Sequence, residues 1–96
     1  GVRFMTAIIV YGKPDCVDFL RSKTLLDRFA IPFEFHDIQS SAAAAVIAEE
    51  ISGGSSSPVL VFPDGSFQVE PSYEQLAVKL GVDVEAGGDA DSRKLR

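Results

Sequence analysis

Ala7-Ile8-Ile9-Val10-Tyr11-Gly12-Lys13-Pro14-Asp15-Cys16 is the stretch that orients the rest of the chain. From Ala7 to Tyr11 the residues are apolar and largely β-branched without alternation, the pattern of a strand covered on both faces, as parallel strands are. Gly12 and Pro14 end that run. A helix is expected next, with Asp15 as N-cap and Asp18 three positions on as a partial capping box and a favourable dipole partner. Phe19, Leu20, Lys23, Leu26 and Phe29 recur at helical spacing with charged residues between them. Ile31-Pro32 stops the helix. The single cysteine of the 96 residues, Cys16, therefore falls at a junction between strand and helix.

Outward from that junction, Phe33 to Ile38 reads as a second strand. Ser40-Ser41 opens a second helix, whose alanine run with Val46, Ile47 and Ile51 has high helical propensity, and Gly53-Gly54 closes it. The polar Ser55-Ser56-Ser57 leads into Pro58 to Phe62 and Ser66 to Val69, two strands joined as a hairpin across Pro63-Asp64-Gly65. After Pro71, Ser72 and Gln75 have the spacing of a capping box. Tyr73, Leu76, Ala77 and Leu80 give the last helix one apolar face, and Gly81 ends it. The order β-α-β-α-β-β-α predicts a layered domain of α and β elements with a parallel pair and a terminal hairpin.

The length suits one domain. Gly1 to Met5 are expected to be an N-terminal extension or a remnant of trimming, with Met5 a candidate start, and the domain is expected over 6–82. From 83 to 96 the periodicity is lost and Gly, Asp and Ser accumulate, which predicts a disordered tail. The net charge of −5 argues against a nucleic-acid partner, whose phosphates need a basic footprint, and against an anionic membrane surface. No apolar run reaches the ~20 residues of a spanning helix. One cysteine forms no internal disulfide, so a stapled secreted scaffold is excluded and a cytoplasmic monomer is expected. One cysteine and one histidine, His36, also fall short of a zinc site within one chain.

Tyr11-Gly12-Lys13-Pro14-Asp15-Cys16 resembles the Tyr-Ser-Lys-Pro-x-Cys entry to the active site of the glutaredoxins. Lys23, Ile31-Pro32-Phe33, Asp37-Ile38, Gly53-Gly54, Pro58, Asp64-Gly65 and Pro71-Ser72 follow in the family's order. Within the family, the actinobacterial mycoredoxins are similar in the Gly-Gly loop, the Asp-Gly-Ser turn and the Pro-Ser helix start. The resemblance implies an α/β thioredoxin fold, β-α-β-α-β-β-α with a four-stranded mixed sheet flanked by helices. It implies that Cys16 is catalytic and that Pro58 is a cis-proline beside it. It further implies that Lys13, Ser57, Pro58, Ser72 and Tyr73 bind a small thiol, with Ser57 offering backbone groups and Ser72 and Tyr73 holding the glutamyl end of glutathione. The co-substrate is then glutathione or mycothiol, with no bound cofactor or metal, and a protein disulfide is a candidate second partner.

A thiol attacks as thiolate. A helix start favours that anion through free N–H groups and the macrodipole, and Lys13 adds a positive charge, whereas Asp15 and Asp18 oppose it. Phe19 stands where dithiol members carry a second cysteine, and Cys16-Val17-Asp18-Phe19 departs from the Cys-Gly-Phe-Ser of single-thiol members. Three readings stay open: a monothiol oxidoreductase, a redox-inactive binding module on the same fold, and an iron–sulfur carrier assembled as a dimer.

Overall fold

The computed structural model describes residues 7–84. Its elements are β1 (Ile8–Gly12), α1 (Val17–Arg28), β2 (Phe33–Asp37), α2 (Ala42–Ser52), β3 (Val59–Val61), β4 (Phe67–Val69) and α3 (Tyr73–Leu80), in the expected order. The four strands form one mixed sheet in the order β2-β1-β3-β4. β1 pairs parallel with β2, from Ile8 opposite Phe33 to Gly12 opposite Asp37. On its other side it pairs antiparallel with β3, Val10 opposite Leu60 and Tyr11 opposite Val59.

Because side chains alternate across a strand, β1 feeds two cores. Ile8 and Val10 join Phe19, Leu25, Leu26, Leu60, Phe62, Leu76 and Ala77 on the face covered by α1 and α3. Tyr11 joins Ala44, Ala48 and Val59 on the face covered by α2. That is why the run from Ile8 to Tyr11 does not alternate: both faces are dry.

α1 differs from expectation at both ends. Its N-cap is Cys16, and no side chain caps it. Asp15 is excluded from that role because Pro14 sits inside a turn closed by the Cys16 N–H on the Lys13 carbonyl at 3.1 Å, and the helical ladder begins with Leu20 N–H on the Cys16 carbonyl at 2.9 Å. The far end stops at Arg28, ahead of Ile31-Pro32. Ala30 adopts φ +55, and the Ile31 N–H reaches back to the Leu26 carbonyl at 2.8 Å, a Schellman closure with alanine in glycine's usual place. The buried face is Phe19, Ser22, Leu25 and Leu26. Leu20, expected on that face, is 45% exposed.

α2 and α3 begin and end where the residues indicate. Ser41 and Ser72 are N-caps, and Gly53 and Gly81 close the helices in the left-handed conformation. The β3–β4 hairpin turns through Pro63-Asp64-Gly65, with the Gly65 N–H on the Phe62 carbonyl and Gly65 at φ +91, a three-residue loop of the glycine-bulge kind. Asp64 fastens this loop to α3: its carboxylate accepts the Ser66 hydroxyl at 2.6 Å, the Ser66 N–H at 2.9 Å and the Lys79 ammonium at 2.9 Å. The packed chain continues past the expected boundary at 82, since Val84 also packs on the α1/α3 core and its carbonyl accepts from Arg28. The expected extension at 1–5 and the tail from 85 onward lie outside the described residues.

Two stability predictions follow from these contacts. The hydroxyl of Ser22 is buried without a hydrogen-bond partner. Ser22→Ala therefore leaves stability unchanged or raises it by about 1 kcal/mol in chemical denaturation, since an unpaired buried hydroxyl is lost. For Asp64, the Ser66 hydroxyl, then Lys79, then the Ser66 N–H hold the carboxyl well below the usual carboxylate range. A depressed folded-state value stabilises above the unfolded value of ~4 and is lost as pH falls through the folded one. The stability difference between wild type and Asp64→Asn is thus flat at neutral pH and shrinks below about pH 4.

Candidate active site around Cys16

The cysteine is delivered by two fixed elements and the turn between them. β1 is held by β2 up to Gly12 and by β3 up to Tyr11, and Lys13 to Cys16 form a turn with Pro14 at its second position, where proline's fixed φ is suited. Such a turn brings the Cα atoms of Lys13 and Cys16 within about 7 Å. Cys16 is partly buried, free of any disulfide, and packs by its inner side on the α1/α3 core. As N-cap it stands before the first bonded N–H of α1, at Leu20, so the N–H groups of Val17, Asp18 and Phe19 precede the ladder at its end of the helix.

The charges nearby are distributed unevenly. Lys13 and Asp15 are exposed. Asp18, a candidate opponent of thiolate formation, is engaged by Arg21 at 2.8 Å, an (i, i+3) pair one turn along α1. Lys23 is paired with Asp27 at 2.6 Å on the outer face. The position three after Cys16 is filled by Phe19, which is 5% exposed and packs ring to ring on Phe35 at 4.5 Å. Its spacing marked it as a core residue, and it is one.

Pro58 is fully buried and its bond to Ser57 is cis. A Cβ on Gly12 would stand 3.2 Å from the Pro58 Cβ and 3.8 Å from the Phe19 Cβ, so the end of β1, the first turn of α1 and the cis-proline meet at one point. Ser57 is 9% exposed. It precedes β3, so its backbone N–H and C=O lie outside a ladder whose register starts with Val59 opposite Tyr11. The Pro58 carbonyl accepts the N–H of Glu70 at 2.8 Å, which ties the start of β3 to the approach to α3. Lys13, Cys16, Ser57 and Pro58 thus belong to one end of the sheet.

Ser72 and Tyr73 are placed differently from one another. Ser72 is a complete capping box with Gln75. Tyr73 packs on the α1/α3 core, and its hydroxyl accepts from the Arg28 guanidinium at 2.6 Å, in the last turn of α1 and so at the opposite end of that helix from Cys16. His36 stacks on Tyr11 at 5.3 Å with Glu34 3.3 Å from its Nε2, a surface arrangement on β2. Two features escaped sequence reasoning. The Glu70 N–H contact needs a left-handed backbone at a glutamate, φ +49, for which no local signal exists. The Asp18–Arg21 pair was available from its (i, i+3) spacing.

A buried cis-proline against a strand that leads by a short turn to a cysteine at a helix start defines the thioredoxin-fold class. A profile of the glutaredoxin family matches residues 8–67. A protein named as a glutaredoxin in Mycobacterium tuberculosis, strain H37Rv, is 33% identical over 75 residues, 77% of this chain and 89% of that one. The crystal structure of a glutaredoxin from Archaeoglobus fulgidus superposes with a TM-score of 0.66 at 25% identity, covering 79% of this chain and 87% of that one. A mutant thioredoxin-like protein superposes at 0.71 with 28% identity, over 82% of this chain and all of the other. The chain belongs to the glutaredoxin family, whose fold and chemistry are those of thiol–disulfide oxidoreductases. None of the described helices is long and apolar enough to cross a membrane.

The close approach at Gly12 generates a prediction. A Cβ there displaces Pro58 by a few tenths of an ångström, and a branched side chain adds two more carbons to the same gap. Gly12→Val is expected to lower unfolding stability by about 1–3 kcal/mol, as overpacking does, and to reduce the rate at which Cys16 reacts with a small disulfide.

Proposed function

We propose that this protein is a monothiol disulfide oxidoreductase that acts through Cys16 on mixed disulfides in the cytoplasm, with a low-molecular-weight thiol, glutathione or mycothiol, as co-substrate. The observation that carries this reading is the pairing of Cys16 as N-cap of α1 with a buried Phe19 where a resolving cysteine would stand. In the first step the Cys16 thiolate attacks one sulfur of a mixed disulfide. A Cys16–S–S–R bond forms, the original S–S bond breaks, and the departing thiolate takes a proton from solvent. With no second thiol in the chain, a small thiol attacks the R sulfur, forms R–S–S–R and returns Cys16 as thiolate. The small thiol is the reductant.

The backbone N–H and C=O of Ser57, beside the cis-proline, are suited to pair with an extended thiol substrate in the manner of an added strand. Lys13 supplies positive charge at the turn. Val17 and Leu20, 72% and 45% exposed next to Cys16, offer apolar surface to a protein disulfide. The competing reading, a binding module without redox chemistry, draws on Asp18 and Phe19. Arg21 offsets the charge of Asp18, and Phe19 accounts only for the missing second thiol, so the monothiol route is favoured.

Turnover of a mixed disulfide in the presence of glutathione or mycothiol, compared between wild type and Cys16→Ser, tests the proposal. Wild type is expected to turn over and the variant to fall to the uncatalysed rate. Equal rates would remove the enzymatic reading.

A further inference from the structure

The outer side of α2 has the composition of a packed face. Ala44 and Ala48 are buried against the sheet. The helical period then turns Ala42, Ala43, Val46, Ile47, Glu49 and Glu50 away from it, and all six are exposed. A helix lying on a sheet ordinarily carries charged residues along that outer face. Here Val46 is 54% and Ile47 41% exposed, and no charge precedes Glu49 in the helix. The sheet extends the apolar surface on the same side of the molecule. Ile9, Val61 and Phe67 stand opposite one another across β1, β3 and β4, the first two only partly buried and Phe67 exposed.

The charges of α2 run against its own dipole. Glu49 and Glu50 fall in the last turn, where the free carbonyls gather negative potential, and no base accompanies them there. No acid lies in the first turn. Ser41 takes the Ala44 N–H on its hydroxyl and the Ala45 N–H on its carbonyl, each at 3.1 Å, which leaves the N–H groups of Ala42 and Ala43 without a partner among the described residues. An antiparallel second copy answers both ends at once. With a two-fold axis at Val46, that residue meets its own counterpart, Ala42 lies opposite the partner's Glu50, and Ala43 lies opposite the partner's Glu49. The alanines let the helix axes approach closely. Each pair of carboxylates then meets the positive end of the other helix.

We propose that the outer face of α2 is a self-association surface, on which a second copy of this chain packs its own α2 antiparallel about Val46. A closed two-fold contact uses one patch twice. The surface lies across the sheet from α1 and Cys16, so it does not depend on the chemistry assigned to that thiol. It sets a dimer against the monomer expected from the sequence.

Sedimentation of the full chain over a wide range of concentration, with Cys16 kept reduced so that no disulfide links two copies, tests the proposal. Wild type is expected to show a reversible monomer–dimer equilibrium, and Val46→Glu, which sets two carboxylates face to face at the axis, is expected to be monomeric. Glu49→Lys/Glu50→Lys separates this surface from a merely structural role, because its two effects have opposite signs. A charge at a helix end changes an equilibrium by about two- to fivefold, and the two-fold pair holds two such charges from each copy. The double variant is therefore expected to weaken the dimer by about tenfold or more. Its melting temperature, read at a dilution where every chain is monomeric, is expected to rise, since lysines suit the end of their own helix. A wild-type chain that stays monomeric at the highest concentration would overturn the proposal. So would a dimer unchanged by both variants, which another surface would then carry, or one that Val46→Glu dissociates but the double variant leaves equally tight.

Discussion

β1 is hydrogen-bonded on both sides and buried on both faces, and the rest of the molecule depends on that constraint. Its register against β2 and β3 fixes where Gly12 lies. From Gly12, a turn closed by the Cys16 N–H on the Lys13 carbonyl leaves no slack before α1 begins. The cysteine's position is therefore set by the sheet. Stability and site geometry share the same residues: Val10 anchors the core one pleat away from Tyr11, and Tyr11 leads into the turn.

The second consequence of that constraint is the meeting of Gly12, Phe19 and Pro58. They come from the end of β1, the first turn of α1 and the residue before β3, and each is buried. Phe19 joins the two roles most clearly. Its ring packs on Phe35 and fills the position where a dithiol mechanism would need a nucleophile. Core packing and the absence of a second thiol at that position are thus two descriptions of the same side chain.

Much of the fold was legible because it is written in local patterns. The unbroken apolar run of β1, the Ser72–Gln75 box, the glycines after α2 and α3 and the Pro63-Asp64-Gly65 turn act over a few residues and reappear as read. The features that were not legible depend on backbone hydrogen bonds that no residue type announces. Asp15 has the chemistry of an N-cap, but the turn from Lys13 moves the helix start to Cys16. Ala30 is left-handed in the Schellman turn that places the Ile31 N–H on the Leu26 carbonyl, Glu70 is left-handed where its N–H meets the Pro58 carbonyl, and neither residue type announces it. Cys16, Lys13, Ser57 and Pro58, singled out through the motif and its order, lie at one end of the sheet. The direction of the Tyr73 hydroxyl toward Arg28 needed side-chain geometry.

The central claim is that Cys16 at the start of α1 is a nucleophile that works alone. Trapping its covalent intermediate tests this most directly: mix the full chain with a small disulfide, quench in acid, and determine the intact mass and the modified peptide. One thiol added per chain, located on Cys16 and removed by excess small thiol, is the predicted result. An unmodified chain, or an adduct on Cys16 that excess thiol does not release, would contradict it.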